Sequence, residues 1–365
     1  MCLALSIDYL NHTKLTFFVS FYYPDPSVLK RILCGGNMIL VGDIGGTKTI
    51  MQAVDEAQGT QNPVHEEIYP SQNHGGLDEI IDLFLKKHGF APTIGSFGVA
   101  GPVVDGKAQL ANLPWIIDES ELKVRWGFRS VILLNDLEAI AKAVPLLKEN
   151  DLHPINQGVP NPHGNIAVIA PGTGLGEAFL TREPDGWRTH ASEGGHADFA
   201  PTDDLQAGIL QFLINRFGHV SYERVCSGSG MPNIFDYLES KEPYEVPAVL
   251  RSKLEEQDDK TPVIMENARG DSPFPICKKT VEIFASILAA ESGNMALRLV
   301  AKGGVYLAGG IPSRLLDVIG RRHFMDIFLN KGRMASLLSD IPVHVVTNQK
   351  CVAIGAAAAA LSIAR

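Results

Sequence analysis

The chain has 365 residues, 45% apolar and 20% charged, a composition that excludes a mostly disordered protein and predicts roughly two domains. Lys and Arg number 32 against 41 for Asp and Glu, so the formal net charge is −9 at pH 7. This balance, without any Lys/Arg-rich run, argues against nucleic acid or an anionic membrane surface as the main partner. Many of the 35 glycines fall in doublets or tight clusters, which indicates close backbone approaches or unusual turns.

Residues 1–37 differ in character from the rest, and we interpret them as an extension outside the fold, with Met38 as the natural start. The five cysteines are widely spaced and form no C-x-x-C motif, which argues against a structural zinc site or a disulfide framework and favours the reducing cytoplasm. No apolar stretch approaches the ~18 residues that span a membrane.

From Met38 onward, short apolar strands alternate with helical patterns. Strands are predicted over 38–41, 50–54, 94–99, 131–134, 166–169, 178–180, 305–308 and 343–346, and helices over 77–87, 137–147, 203–218, 278–300 and 352–364. The segment 148–163 is rich in proline and polar residues, and we predict an inter-domain linker there. The predicted domains are a small α/β domain over 38–147, with the C-terminal helix 350–365 packing back on it, and a large α/β domain over 148–349.

One pattern occurs twice along the chain. Residues 38–54 contain a strand, a glycine-rich turn and a second strand, and residues 166–180 repeat that order. The repetition predicts two related α/β halves, each opened by a glycine hairpin. Chance is the alternative, because glycine-rich hairpin turns are common.

The first turn, GDIGGTK over residues 42–48, contains groups suited to binding a nucleotide. It is not a Walker P-loop, because Thr47 stands where glycine is required and a strand follows. Its backbone N–H groups and the Thr47 hydroxyl are suited to a phosphate, and Asp43 is suited to holding Mg²⁺ through water. The alternative is an ordinary turn stabilised by the aspartate.

Asn135 and Asp136 stand where an apolar strand ends and a helix begins. Ligands of α/β sheets bind beyond the carboxyl ends of strands, and a helix N-terminus favours an ionised carboxylate. Asp136 is therefore a candidate general base for a substrate hydroxyl. The alternative is a helix cap, a role that Asn and Asp commonly fill.

Three further polar residues suit a polyhydroxylated ligand. Glu193 and His196 flank a glycine doublet, which we expect to bend the backbone so that both side chains face one pocket. Glu223 follows, on a predicted helix. Carboxylate, amide and imidazole groups supply the donors and acceptors that sugar hydroxyls need. A surface ion pair for Glu223 and a structural role for His196 remain alternatives at this point.

Taken together, seven motifs in one order resemble the bacterial glucokinase family. They are GDIGGTK (42–48), ANLPW (111–115), LNDLEA (134–139), PGTGLG (171–176), SEGGHADFAP (192–201), YERVCSGSG (222–230) and GGVYLAGGI (303–311). The resemblance covers residues 38 to about 361.

The resemblance implies a two-domain, actin-like (ribonuclease H-like) α/β ATPase fold with a nucleotide–sugar cleft between the domains. It implies phosphorylation of glucose at the 6-hydroxyl by ATP with Mg²⁺, and a homodimer. It makes Asp136 the catalytic base. It assigns glucose binding to Asn135, Asp136, Glu193, His196 and Glu223. It assigns nucleotide binding to Gly42, Asp43, Ile44, Gly45, Gly46, Thr47, Gly172, Thr173, Gly174, Gly309 and Gly310.

The chain also departs from the family pattern. Residues 1–37 have no counterpart, Ser229 stands where proline is usual, and the cysteine-rich zinc motif of the related ROK kinases is absent. Three alternatives stay open: a kinase for mannose, fructose or an N-acetylhexosamine, a sugar-sensing regulator without turnover, and an actin-like or chaperone-type ATPase. Retention of Asp136 argues against the regulator, and the sugar-ligand set argues against the ATPase.

Overall fold

The computed structural model describes residues 38–110, 113–241, 243–320 and 322–364. The extension 1–37 and the first two residues of the motif 111–115 therefore lie outside the described residues. The described residues divide into two compact units, one formed by residues 38–135 with residues 356–364 and the other by Asp136–Gly355. The division falls at Asn135/Asp136, earlier than the predicted boundary at 147/148.

The first unit is built on two sheets. Its elements in chain order are β1 (Met38–Ile44), β2 (Lys48–Asp55), β3 (His65–Pro70), α1 (Leu77–His88), β4 (Ile94–Val99), β5 (Val103–Val104), β6 (Lys107–Gln109), β7 (Ile116–Asp118), α2 (Glu119–Trp126) and β8 (Ser130–Asn135). The main sheet has the strand order β3-β2-β1-β4-β8, and β5, β6 and β7 form a small antiparallel sheet.

Helix α1 shows why these residues form these elements. Leu77, Ile80, Ile81, Phe84 and Leu85 are buried and recur at the spacing of one helical face, so a single apolar stripe joins the core of this unit. The helix ends at His88, and the next residue, Gly89, has a φ of 68°, the left-handed conformation common after a last helical turn.

The second unit contains a six-stranded sheet and most of the helices. Its elements are α3 (Asp136–Ala143), β9 (Leu152–Asn156), β10 (Ile166–Pro171), β11 (Leu175–Glu183), β12 (Gly186–Ser192), α4 (Asp204–Phe217), α5 (Met231–Glu239), α6 (Ala248–Glu255), α7 (Thr261–Asn267), α8 (Pro275–Leu299), β13 (Gly304–Leu307), α9 (Gly310–Arg314), α10 (Leu316–Ile319), α11 (Arg322–Phe328), α12 (Ala335–Ser339), β14 (Val343–Val346) and α13 (Cys351–Ala364). The last helix continues past Gly355 into the residues grouped with the first unit.

The two large sheets share one topology. The first has the order β3-β2-β1-β4-β8, and the second has the order β12-β11-β10-β13-β14 with β9 added at its edge. Over these five strands, the first two pairs of each sheet are antiparallel and the next two are parallel, and the added β9 pairs antiparallel with β14. The repeated glycine hairpin in the sequence therefore marks a repeated sheet, as predicted.

The segment 148–163 was predicted to be a linker, and that prediction is wrong. Its residues Leu152–Asn156 form β9, which pairs antiparallel with β14 inside the second unit. Pro154, one of the prolines that suggested a linker, is tolerated within β9 because this strand lies at the edge of the sheet.

The true division comes earlier because α3 belongs to the second unit. The side chain of Leu137 lies against Gly176 of β11, where an added Cβ would come within 2.9 Å of Leu137 Cδ2. Helix α3 also ends sooner than predicted, at Ala143, and a 3-10 turn over Val144–Leu146 follows.

Cys226, Cys277 and Cys351 are free thiols in buried positions, and burial raises the pKa of Cys277 to about 12. No helix in the described ranges combines the length and apolar character needed to cross a membrane.

Candidate active site

The second unit brings two predicted nucleotide segments together at the carboxyl ends of two adjacent strands of its sheet. Strands β10 and β13 are parallel, so the turn after Pro171 and the residues after Leu307 leave the sheet at the same end. Gly309 has a φ of 82°, and an added Cβ would lie 2.8 Å from the carbonyl oxygen of Pro171. Glycine at 309 is therefore required both by the backbone conformation and by this close approach.

The turn 172–174 is held by the loop that follows Glu223. The N–H of Gly172 bonds to the carbonyl of Gly174 at 2.9 Å and closes the turn. The N–H of Gly228 donates to the carbonyl of Gly172 at 2.7 Å, and the N–H of Ser229 donates to the carbonyl of Thr173 at 3.1 Å. Proline has no N–H, so the last bond depends on the position where this chain departs from the family pattern.

Glu223 contacts this same turn. It lies in a 3-10 turn, Tyr222–Arg224, rather than on the predicted helix. Its Oε2 accepts a hydrogen bond from the N–H of Leu175 at 3.0 Å, and an added Cβ on Gly174 would come within 2.5 Å of that oxygen. A predicted sugar ligand and a predicted phosphate turn are therefore in direct contact.

Glu193 and His196 lie at the start and end of another short turn. The 3-10 turn Gly194–His196 leaves both side chains open to solvent, with exposed fractions of 92% for Glu193 and 60% for His196. The His196 Nε2 lies 3.8 Å from the Glu193 Oε2. The two side chains are neighbours, and both are accessible to a ligand.

The glycine doublet between them has a different role from the predicted one. Neither Gly194 nor Gly195 has a positive φ. A Cβ on Gly194 would clash with the carboxylate of Glu177, and one on Gly195 would clash with the carbonyl of Leu175. The doublet therefore allows this turn to pack directly on β11, which fixes the position of Glu193 and His196.

Asp136 is the first residue of α3 and is half-buried. Its Oδ1 accepts a hydrogen bond from the N–H of Leu137 at 2.8 Å, so the carboxylate does support the start of the helix. The next residue, Leu137, packs against Gly176 on β11, the strand that follows the turn 172–174. Asp136 is therefore next in sequence to a residue that contacts this strand. The preceding residue, Asn135, ends β8 in the first unit, and its Nδ2 donates to the carbonyl of Gly101 at 2.9 Å.

In the first unit, the predicted nucleotide residues at the end of β1 and in the turn before β2 form a buried group and an accessible group. Gly42 and Ile44 lie in the core, and a Cβ on Gly42 would come within 2.7 Å of the Phe97 ring. Their burial explains these residue types without any ligand. The N–H of Gly45 donates to the carbonyl of Lys48 at 3.0 Å and so closes the turn.

Four predicted residues in this part of the first unit remain accessible. Thr47 is exposed, whereas Asp43, Gly45 and Gly46 are half-buried. Asp43 stands at the carboxyl end of β1, and one carboxylate in such a place fits the way Mg²⁺ is held beside nucleotide phosphates. Within the described ranges, no three His, Cys, Asp or Glu side chains form a group that could hold a metal ion.

Sequence reasoning missed Glu177, which lies on β11 beneath Gly194. It is 2% exposed, and its Oε1 has no hydrogen-bond partner among the described residues. Burial, aided by the nearby Glu291 carboxylate, raises the pKa of Glu177 to about 7, and Arg298 opposes that shift. The available signal was a glutamate between apolar residues in the first part of β11, because glutamate is rarely buried.

The chain was compared with known proteins. A family model described as Glucokinase matches residues 40–363. A curated relative named Glucokinase, from Nostoc punctiforme, is 35% identical over 334 residues, which cover 88% of this chain and 98% of the relative.

Solved structures agree with this match. A crystal structure of glucokinase from an Antarctic psychrotroph superposes with a TM-score of 0.76 at 30% identity, covering 89% of this chain and 99% of that one. A ROK family glucokinase from Streptomyces griseus, solved in complex with glucose and AMPPNP, shares the fold with a TM-score of 0.59 at 21% identity, covering 89% of this chain and 99% of that one. The family match over residues 40–363 and the 35% identity to a relative covered over 98% of its length establish that this chain belongs to the glucokinase family.

Proposed function

We propose that Asp136 is the general base in the ATP-dependent phosphorylation of glucose, the reaction that membership of the glucokinase family assigns to this chain. The observation that carries the proposal is the meeting of the second unit's predicted residues around one turn. Glu223 contacts the turn 172–174, Gly309 lies against Pro171, and Leu137, next to Asp136, contacts Gly176.

The proposed step is an in-line transfer. The 6-hydroxyl oxygen of glucose attacks the γ-phosphorus of ATP, the new O–P bond forms as the bond to ADP breaks, and the hydroxyl proton passes to the carboxylate of Asp136. A positioned base contributes ~10²–10⁴-fold to such a rate. The remaining acceleration comes from positioning and from neutralisation of phosphate charge.

The sugar hydroxyls are proposed to pair with Asn135, Asp136, Glu193, His196 and Glu223. The exposure of Glu193 and His196 supports this role, because both side chains are available to a ligand. A carboxylate accepts hydrogen bonds from hydroxyls, and an imidazole can donate or accept. A site of this kind selects strongly against analogues that leave its polar groups unpaired.

The nucleotide is proposed to bind through backbone groups. In the second unit, the turn 172–174 would meet the phosphates and Gly309 and Gly310 the adenosine. In the first unit, Gly46 and Thr47 would meet the phosphates, and Asp43 would hold Mg²⁺ through water. Bound Mg²⁺ supplies charge neutralisation on the phosphates. The complex of the Streptomyces griseus enzyme with AMPPNP supports use of a nucleoside triphosphate.

The direct test is a coupled assay that detects glucose 6-phosphate from glucose, ATP and Mg²⁺. We expect turnover to require all three, with the highest kcat/KM for glucose among glucose, mannose, fructose and N-acetylglucosamine. A higher kcat/KM for another hexose would make the chain a kinase for that sugar. ATP hydrolysis that no sugar affects would contradict the proposal.

Two broader expectations remain predictions. Location in the cytoplasm is supported by the free, buried thiols of Cys226, Cys277 and Cys351. The homodimer implied by the resemblance can be tested by measuring the molar mass of the purified protein in solution.

A further inference from the structure

Ser71 lies directly behind the first glycine turn. It opens a 3-10 turn, Ser71–Asn73, immediately after β3, and it is completely buried. Its N–H donates to the carbonyl of Thr47 at 3.0 Å, and its Oγ donates to the carbonyl of Gly45 at 2.7 Å. Ser71 therefore binds two carbonyl groups of the turn, one through its side chain and one through its backbone.

A second hydroxyl completes the arrangement. Thr49 on β2 is also completely buried, and its Oγ1 lies 3.0 Å from the Ser71 Oγ. A hydroxyl has a single proton, and that of Ser71 is directed to Gly45, so Thr49 must be the donor between them. The result is a short chain of hydrogen bonds that runs from Thr49 through Ser71 to Gly45.

This chain determines which way the next peptide faces. In a planar trans peptide, the carbonyl of one residue and the N–H of the following residue point in opposite directions. The carbonyl of Gly45 is directed at Ser71, so the N–H of Gly46 points away from Ser71. The N–H of Gly45 itself is bonded to Lys48 and closes the turn.

We propose that Ser71 is a positioning residue for the nucleotide-phosphate turn, acting by directing the Gly46 N–H toward a phosphate oxygen. The inference rests on the proposed function, because it takes this turn as the phosphate-binding one. Ser71 itself does not contact the nucleotide. Without its hydroxyl, the Gly45 carbonyl loses its partner and the following peptide is free to rotate, so the donor is no longer pre-oriented.

The test compares Ser71→Ala with Thr49→Val as a matched control. Both variants remove one buried hydroxyl from the same hydrogen-bond chain, but Thr49→Val leaves the bond from Ser71 to Gly45 in place. Four quantities are measured for each: the Kd for ATP with Mg²⁺ by calorimetry, the KM for ATP, the KM for glucose, and Tm.

For Ser71→Ala we expect the Kd and KM for ATP to rise about tenfold, the usual effect of losing one well-placed hydrogen bond to a charged group. The KM for glucose is expected to stay within about twofold. For Thr49→Val we expect a lower Tm, with the Kd for ATP within about twofold of the parent.

A lower Tm in Ser71→Ala with an unchanged Kd for ATP would overturn the proposal and leave Ser71 a purely structural residue. Equal losses of ATP affinity in both variants would also overturn it. If Ser71→Ala fails to fold, Ser71→Cys applies the same criterion, because it keeps the side-chain size and weakens the donor. Failure of the kinase proposal is seen separately, as absence of glucose phosphorylation by the parent protein.

Discussion

The carboxylate of Glu223 and the backbone N–H of Leu175 are joined by a hydrogen bond of 3.0 Å. Glu223 is a proposed sugar ligand, and Leu175 directly follows the turn proposed to hold phosphate. In the proposed site Glu223 would therefore serve both substrates, and the same oxygen limits the space beside Gly174.

Substituting Glu223→Gln is expected to weaken the binding of both substrates, glucose and ATP. The amide keeps the size of the side chain but removes the charge, and a hydrogen bond to a charged group is worth about 1.5–3 kcal/mol. We expect the KM for glucose to rise at least about tenfold, and the KM for ATP about threefold as the turn loosens. Glu239→Gln is the control, because Glu239 pairs with Arg251 on the surface. An unchanged KM for ATP would show that the bond to Leu175 does not support the turn.

Substituting Gly174→Ala is expected to displace Glu223, because the added Cβ would come within 2.5 Å of its Oε2. The KM for glucose should then rise nearly as much as in Glu223→Gln. Gly172→Ala is the comparison, since a Cβ there meets no atom within 4 Å. Gly172→Ala should raise the KM for ATP rather than the KM for glucose. Equal glucose affinities in the two alanine variants would contradict this account.

Substituting Asp136→Asn is expected to lower kcat by ~10²–10⁴-fold. The Kd for glucose should change by less than about tenfold, because the amide can still pair with a hydroxyl. Asp204→Asn is the matched control, since Asp204 is likewise the first residue of a helix, α4, and has no proposed role in the reaction. Turnover of Asp136→Asn within about tenfold of the parent would refute its assignment as the base.

The buried Glu177 predicts a particular dependence of stability on pH. Its pKa is about 7 in the folded protein, against 4.5 for an ordinary glutamate. Between these values the folded state keeps a proton that the unfolded state releases. The free energy of unfolding should therefore fall as pH rises from about 4.5 to 7, by up to about 1.4 kcal/mol per unit.

Urea unfolding at pH 5 and pH 7.5 tests this prediction. The glutamine of Glu177→Gln cannot ionise. The free energy of unfolding of this variant should therefore fall less than that of the parent between these two pH values. Glu183→Gln, at the solvent-exposed end of the same strand, should behave like the parent. An identical loss in Glu177→Gln and the parent would show that Glu177 does not hold the proton.

Secondary structure was largely predictable because local patterns determine it. The apolar spacing in α1 and the runs of β1, β4 and β10 are visible in short windows, and the structure confirms them. The linker was mispredicted because prolines mark either an irregular segment or an edge strand. Only the distant partner β14 distinguishes the two.

The residue types of the site were also visible in the sequence, but several of their roles were not. Gly42 is predicted to bind phosphate, and the structure adds a separate reason for glycine there, because the space beside it is taken by Phe97. Gly194 and Gly195 were expected to bend the backbone, and instead they allow the turn to pack against β11. A glycine in a sequence indicates that a Cβ is excluded, and only the surrounding fold shows which atom excludes it.

The sequence by itself determined the repeated hairpins, the motif order that identifies the family, and the acidic and imidazole groups suited to a sugar. The tertiary structure decided which of these groups touch. It joined Glu223 to Leu175, placed Gly309 against Pro171, and put the unremarked Ser71 behind the first turn. These contacts join residues that are far apart in the chain, and their geometry depends on strand order and close packing, which no local pattern records.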